Sequence, residues 1–276
     1  DSSAMRRVVE TYGGCIVWGG GLDLSPADDI LIRIERPLDF DSEGQLVASI
    51  LSKKAAAGST HVLIDMPVGV TAKVRTAADA EALSRRLSIV AEDIGLCLAV
   101  HQSDGMAPIG RGIGPALEAH DVLAVLRRSP EAPDDLRSRS LDIAGMLLEL
   151  FGRETSGRAR AEALLESGAA EAKFMAICAA QGGFSEPGKA PHLHIVSAER
   201  DGIVTSFDNR RISRIAKLSG APGRKTSGVL LHVSLGAHVE CGAPLYEIHA
   251  ETPGELGWAL EYADSGPAPI KLEEGS

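Results

Sequence analysis

Apolar positions recur at helical spacing in one stretch of this chain and run unbroken in the next. Across residues 43–57, Leu46, Ile50, Leu51 and Ala55 fall on one side of a 3.6-residue wheel, and Gly58 ends the run. Residues 61–65 (HVLID) form a compact apolar run that Met66-Pro67-Val68-Gly69 breaks. Thr76 is placed to cap a long helix reaching about residue 94, with the stripe Ala80, Leu83, Leu87, Val90 and Ile94. Residues 96–100 (LCLAV) are again continuously apolar. Strand, helix, strand in that order, with unbroken rather than alternating strands, predicts a parallel sheet covered on both faces. A further buried strand is expected at residues 15–18 (CIVW), after a helix over 3–12 that Ser2 or Ser3 caps and Gly13-Gly14 ends. Residues 115–182 read as almost all helix, with breaks near Pro130–Pro133 and at Gly152.

At about residue 186 the texture changes. SEPGKAPH reads as a linker, and beyond it come short strands at 192–198, 202–207, 228–233 and 245–249. A helix over 209–219 interrupts them, and a last helix over 255–264 precedes a Gly/Pro/Glu tail expected to be loose. The fold class is therefore α/β, with three parts: an α/β domain over 1–185 that includes a helical segment around 30–58, a small C-terminal α+β module over 190–265, and a tail over 266–276.

Composition narrows the role. Acidic residues outnumber basic ones 38 to 28, a formal net charge of -10, which argues against coating a nucleic acid but leaves room for a small anionic substrate. Aromatic residues are only 4%, so the core must rest on Ala, Val, Leu and Ile. Cys15, Cys97, Cys178 and Cys241 are scattered, with no CxxC pair to suggest zinc or a disulfide framework. Cys15 and Cys97 lie inside apolar runs and are expected to be buried free thiols, in a reducing, cytoplasmic setting. No run of 18 apolar residues and no signal peptide is seen, so no membrane partner is expected. The opening DSSAMRRVVE reads as a helix already in progress, and a boundary within a longer protein is expected there.

The segment 36–75 is the richest in chemistry. Arg36, Asp41, Ser49, Lys53 and Lys73 could converge on one cleft. Ser49 and Lys53, four residues apart, share one helix face, where a hydroxyl and an ammonium could hold the carbonyl oxygens of a flat polar ligand. From spacing alone, the stronger reading is that Lys53-Lys54 is a solvated face of a surface helix and Ser49 is filler. The loop MPVGVTAKV follows a parallel strand, where α/β sheets bind their ligands, although its single glycine is no phosphate cradle. Asp28-Asp29 and Asp41-Ser42 read first as helix-start caps. His192 and His194 alternate on a strand and share a face, but lack a third ligand and read as structural. No GxSxG elbow and no Walker loop appears.

Several long motifs resemble one family. GGCIVWGGGLDLSPADD at 13–29, QLVASILSKKAAAG at 45–58, VLIDMPVG at 62–69, PIGRGIGPALEA at 108–119 and AAQGG at 179–183 are similar to the pyrimidine-nucleoside and thymidine phosphorylases. So are DGIVTSFD at 201–208, GRK at 223–225 and GVLLHVSLGAHVECGAPLYEIHAE at 228–251, and the wording IVWGG and PADD looks like the AMP phosphorylase (type-2) branch. The resemblance implies a helical domain, a large α/β domain and a C-terminal barrel-sandwich-like module, usually in a homodimer. It implies phosphorolysis of a nucleoside, thymidine and phosphate giving thymine and deoxyribose 1-phosphate, with AMP as the alternative substrate. No cofactor and no metal is expected, inorganic phosphate being a co-substrate. Ser49 and Lys53 match the family's base-contacting serine and lysine, and Arg36 falls near its base-contacting arginine. In the AMP branch Asp41 matches the proton donor, and Ser49 and Lys73 match nucleotide-contacting positions. The family's phosphate-binding Gly-rich loop aligns upstream of residue 1, so residues 1–276 alone are expected to turn over little. The loop GVTAK departs from the family's second glycine. Two rival readings remain. One is a biotinyl- or lipoyl-like carrier, with Lys225 as the modified lysine. The other is an anthranilate phosphoribosyltransferase-like enzyme, which would lack the C-terminal module.

Overall fold

The computed structural model describes residues 2–17, 30 and 43–274. It is mixed α/β, and its contacts gather into two compact units that each draw on several stretches of chain. One holds residues 1–66, 76–103 and 141–184; the other holds 67–75, 104–140 and 185–276.

The first unit opens with α1 (Ser2–Tyr12), followed after residue 42 by α2 (Glu43–Ala56), β1 (His61–Val68), α3 (Ala77–Asp93) and β2 (Cys97–Asp104). Thr76 caps α3 as the sequence predicts: its Oγ1 accepts from the Asp79 backbone N at 3.1 Å, and Asp79 suits the positive end of the helix. Ala80, Leu83, Leu87 and Ala91 are buried, while Val90 and Ile94, expected in the stripe, are exposed. The spacing 80, 83, 87, 91 keeps closer to 3.6 residues per turn than a stripe continued through 90. On α2 the same drift occurs. Val47 and Leu51 are buried, and Ala55 is exposed.

Strands β1 and β2 pair in a two-stranded sheet. Cys97 N donates to Thr60 O at one end and Gly105 N to Val68 O at the other, so the register is constant and the strands run parallel. The predicted strand at 15–18 does not form over its described residues. Residues 14–17 are irregular, Ile16 and Val17 are exposed, and Trp18 lies outside the described residues. The reason is visible at Gln181. Its Oε1 accepts from Ile16 N at 2.8 Å and its Nε2 donates to Ile16 O at 2.5 Å, so one side-chain amide takes the place of a ladder partner. The expected helical run forms as α4 (Pro115–Leu126), whose residues belong to the second unit, followed by α5 (Asp134–Leu150), α6 (Gly157–Glu166) and α7 (Ala169–Ala180). The breaks at 130–133 and 152 are as predicted; a further one at Ser167-Gly168 is not, and Gly168 takes φ 79° there.

In the second unit, β3 (Gly112–Ile113), β4 (His192–Ser197), β5 (Gly202–Phe207), α8 (Asn209–Leu218), β6 (Gly228–Leu231), β7 (His238–Val239), β8 (Pro244–Ala250), α9 (Pro253–Asp264) and β9 (Ile270–Glu273) build two antiparallel sheets. Their orders are β3-β6-β8-β4 and β7-β5-β9. Val204, Phe207, Ile212, Ile215, Val229, Ile248, Ala259 and Ile270 form the buried core between sheets and helices. Over its described residues the tail is not loose. Ile270 is 2% exposed, and Ile203, Val204, Ser206 and Phe207 of β5 pair with Glu273, Leu272, Lys271 and Ile270. A sequence reading weighted by Gly266, Pro267 and Pro269 misses this because the four residues that follow them supply only one strongly apolar pair.

Candidate active site

Ser49 and Lys53 stand one turn apart on α2, both half-buried, beside the buried stripe of Val47 and Leu51 that seats this helix on α3. Half-burial suits their expected role. The lysine stem can lie along apolar surface while its ammonium reaches a polar ligand. Arg36 and Asp41 lie outside the described residues. Lys73 belongs to the second compact unit, where it is exposed on the loop after β1.

That loop is tightly built. Val68 and Val74 form a parallel bridge, Gly69 N donates to Val74 O at 3.1 Å, and Ala72 N donates to Gly69 O at 2.9 Å. Gly69 abuts the turn after β2: a Cβ placed on it would lie 2.6 Å from both the carbonyl carbon and the oxygen of Gly105. Only a bare backbone fits, so the glycine is demanded by close approach. Asn209 then holds both turns. Its Nδ2 donates to Gly105 O at 3.1 Å, and its backbone N to Thr71 Oγ1 at 3.4 Å. Asp104 Oδ1 accepts from Met106 N, and Arg139 Nη2 donates to Asp104 O. The carboxyl ends of the two parallel strands are thus fixed in shape, at the place where open α/β sheets receive ligands.

Sequence reasoning missed a second polar group. Glu247 on β8 presents one carboxylate oxygen to His232 Nε2 and the other to His249 Nε2, each at 3.1 Å. Burial pushes the His249 imidazole below its usual pKa, against the opposing pull of Glu247. His232 and His249 are 17 positions apart in sequence, and only the pairing of β6 with β8 reveals their relation. His192 and His194, the pair singled out from sequence, lie on edge strand β4 and make no such bridge. Among the described residues, no three His, Cys, Asp or Glu side chains are grouped to hold a metal ion, and no helix is long and apolar enough to cross a membrane.

The carrier reading finds no support in geometry. A carrier lysine stands at a hairpin tip, whereas Lys225 lies between α8 and β6, and its carbonyl accepts from Ala116 N at 2.9 Å.

No family model matches the chain. Curated proteins do. A protein of Polaromonas sp. (strain JS666 / ATCC BAA-500) is 61% identical over 276 residues, which is 99% of this chain and 54% of that protein. Others from Hahella chejuensis (strain KCTC 2396) and Sphingopyxis alaskensis (strain DSM 13593 / LMG 18877 / RB2256) are each 56% identical over 274 and 271 residues. They cover 99% and 97% of this chain and 54% and 52% of their own lengths. All three carry the name "Putative thymidine phosphorylase". By sequence, the chain is similar to the thymidine phosphorylase family over nearly its whole length. It spans about half the length of the curated thymidine phosphorylase relatives it matches. Two of the segments that carry the resemblance, around Ile16 and around Gln181, are joined in this chain by the Ile16–Gln181 amide pair.

Proposed function

We propose that the chain carries base-binding residues for phosphorolysis of a pyrimidine nucleoside, with thymidine the substrate and inorganic phosphate the co-substrate. The observation that carries this reading is the Ser49–Lys53 pair, half-buried and one helical turn apart on α2. It matches in residue type and spacing what the family's base site needs, and relatives sharing 54–61% of the sequence bear the corresponding name.

In the reaction, a phosphate oxygen attacks the anomeric carbon as the bond from that carbon to the base nitrogen breaks. The electron pair leaves with the base, positive charge gathers on the sugar as in glycoside hydrolysis, and a proton must reach the departing base. Charge on a pyrimidine anion spreads to its carbonyl oxygens. Lys53 and Ser49 donate there, and such preorganised donors act most strongly where charge develops. Arg36 would add planar two-point contact with the base edge, and Lys73 would contact the sugar or its phosphate. No cofactor is needed for this electron balance. In the AMP branch, which the wording IVWGG and PADD favours, Asp41 would instead protonate a purine and needs a raised carboxyl pKa to do so. A cytoplasmic homodimer completes the proposal.

The full gene product, incubated with thymidine and phosphate, should release thymine and deoxyribose 1-phosphate, and release should depend on phosphate. A parallel incubation with AMP tests for adenine and ribose 1,5-bisphosphate. Release of neither base would overturn the proposal, and release from AMP alone would move it to the purine branch.

A further inference from the structure

Helix α8 carries a stripe of cations that the reading above does not use. Arg210, Arg214 and Lys217 follow one another at i, i+4 and i+7, so they stand on one face of the helix. The opposite face is the buried one, with Ile212, Ile215 and Ala216 in the core of the second unit. A fourth cation, Arg211, is used structurally. Its Nη2 donates to the carbonyl oxygens of Tyr262 and Ser265, and its guanidinium lies 4.7 Å from the centre of the Tyr262 ring. The other three are not used in this way. Among the described residues, no ion pair contains Arg210, Arg214 or Lys217.

These side chains line a cavity of about 300 Å³ together with Thr71, Asn209 and Ser213. No carboxylate is in its lining. This is notable in a protein with ten more acidic than basic residues, where three neighbouring cations would ordinarily find acidic partners. Like charges one turn apart repel, and an anion between them relieves the repulsion. Hydroxyl donors are also to hand. Thr71 Oγ1 accepts from Asn209 N, which leaves its own hydrogen to donate, and Ser213 is exposed. The first backbone N–H groups of α8 are not available, because Asp208 Oδ1 accepts from Arg210 N and Arg211 N. Recognition therefore falls to side chains. Two guanidinium forks, an ammonium and two hydroxyls form the donor set that a tetrahedral oxyanion with several acceptors satisfies.

We infer that this cavity binds a phosphate group, and that the group belongs to a sugar phosphate. The volume lies at the small end of ligand pockets and exceeds what a bare phosphate occupies, leaving space for a pentose-sized body. Its lining shares no residue with the base-binding pair on α2, and the inference does not rest on the phosphorolysis reading. Thr71 sits in the rigid loop after β1, so an occupied cavity would bear on the carboxyl end of that strand through the Asn209 clamp.

Calorimetric titration of the 276-residue chain in chloride buffer tests this, with ribose 5-phosphate, inorganic phosphate and unphosphorylated ribose as probes. Ribose 5-phosphate should bind saturably and ribose should not; binding should weaken as chloride rises. Arg214→Ala with Lys217→Ala should weaken it by about tenfold or more, whereas Lys53→Ala should leave it unchanged. Equal affinity for inorganic phosphate would keep the site and name phosphate itself as its occupant. No saturable binding of either phosphate probe, or unchanged affinity in a double variant that keeps the wild-type circular dichroism and Tm, would overturn the inference. Should the double variant fail to fold, phenylglyoxal labelling of the unaltered protein decides. Ribose 5-phosphate must slow modification of Arg210 and Arg214, and equal labelling with and without it rejects the site.

Discussion

Gly145 of α5 and Gly157 of α6 lie so close that neither helix has room for a side chain at the crossing. A Cβ on Gly145 would stand 2.5 Å from Arg158 N, and one on Gly157 would run into the Gly145 carbonyl. Glu149 Oε1 seals the junction by accepting from Gly157 N at 2.8 Å. Backbone atoms cannot yield as a flexible side chain does, so Gly145→Ala must push the helices apart. The expected cost is about 1–3 kcal/mol, the range for overpacked interiors, read as a lowered midpoint in urea denaturation. An unchanged midpoint would mean that the helices re-seat freely.

Ser49 and Lys53 should separate in their effects. Lys53→Met keeps the stem and removes the charge that meets the base anion, so kcat/KM for thymidine should fall by about 10²–10³-fold, as for loss of one preorganised donor. Ser49→Ala removes a neutral donor and should cost less. Both positions are half-buried, so Tm should hardly move in either variant. Steady-state phosphorolysis with saturating phosphate checks the pair, and wild-type kcat/KM in Lys53→Met would remove that lysine from the site.

The sequence announces some of this architecture and hides the rest for physical reasons. Thr76, the helix it caps and strand β5 are local matters, decided by propensity and pattern within a dozen residues, and they stand where pattern reading puts them. Ser49 and Lys53 need only helical periodicity to share a face. Residues 15–17 defeat the same method because their partner is a glutamine amide from the far end of the unit. No periodicity encodes a side chain acting as a strand. The Glu247 bridge is hidden likewise, since His232 and His249 meet only through strand register. Tertiary partners that are distant in sequence are the common factor.

Strand β9 gives a direct test of the C-terminal sheet. Ile270 pairs with Phe207 and is 2% exposed. Its removal leaves a cavity in the core that also holds Ile212, Ile215 and Ala263. Ile270→Ala should therefore cost about 2–4 kcal/mol, within the span for buried Ile or Leu truncations. Lys271→Ala, whose side chain is exposed on the same strand, should cost little. A comparison of the two denaturation midpoints isolates packing from the mere presence of the strand, and equal midpoints would show that the tail does not contribute to the core.

His249 should make stability depend on acid in a defined direction. Burial lowers its pKa in the folded chain, while Glu247 resists that shift and His232 and His120 assist it. An unfolded histidine titrates near its ordinary value of about 6.5. Below that value the unfolded chain takes up a proton that the folded chain declines, and stability falls with pH at up to about 1.4 kcal/mol per unit. The loss levels off once pH passes the depressed folded pKa, and above about pH 6.5 this residue contributes no slope. His249→Gln retains a donor for Glu247 and cannot titrate, so its Tm should decline less than wild type between pH 7 and pH 5. Glu247→Gln removes the charge that props up the imidazole. The His249 pKa should then drop further, and the decline should continue to lower pH than in wild type. Matching Tm–pH curves for wild type and His249→Gln would show that the buried imidazole is not the titrating group.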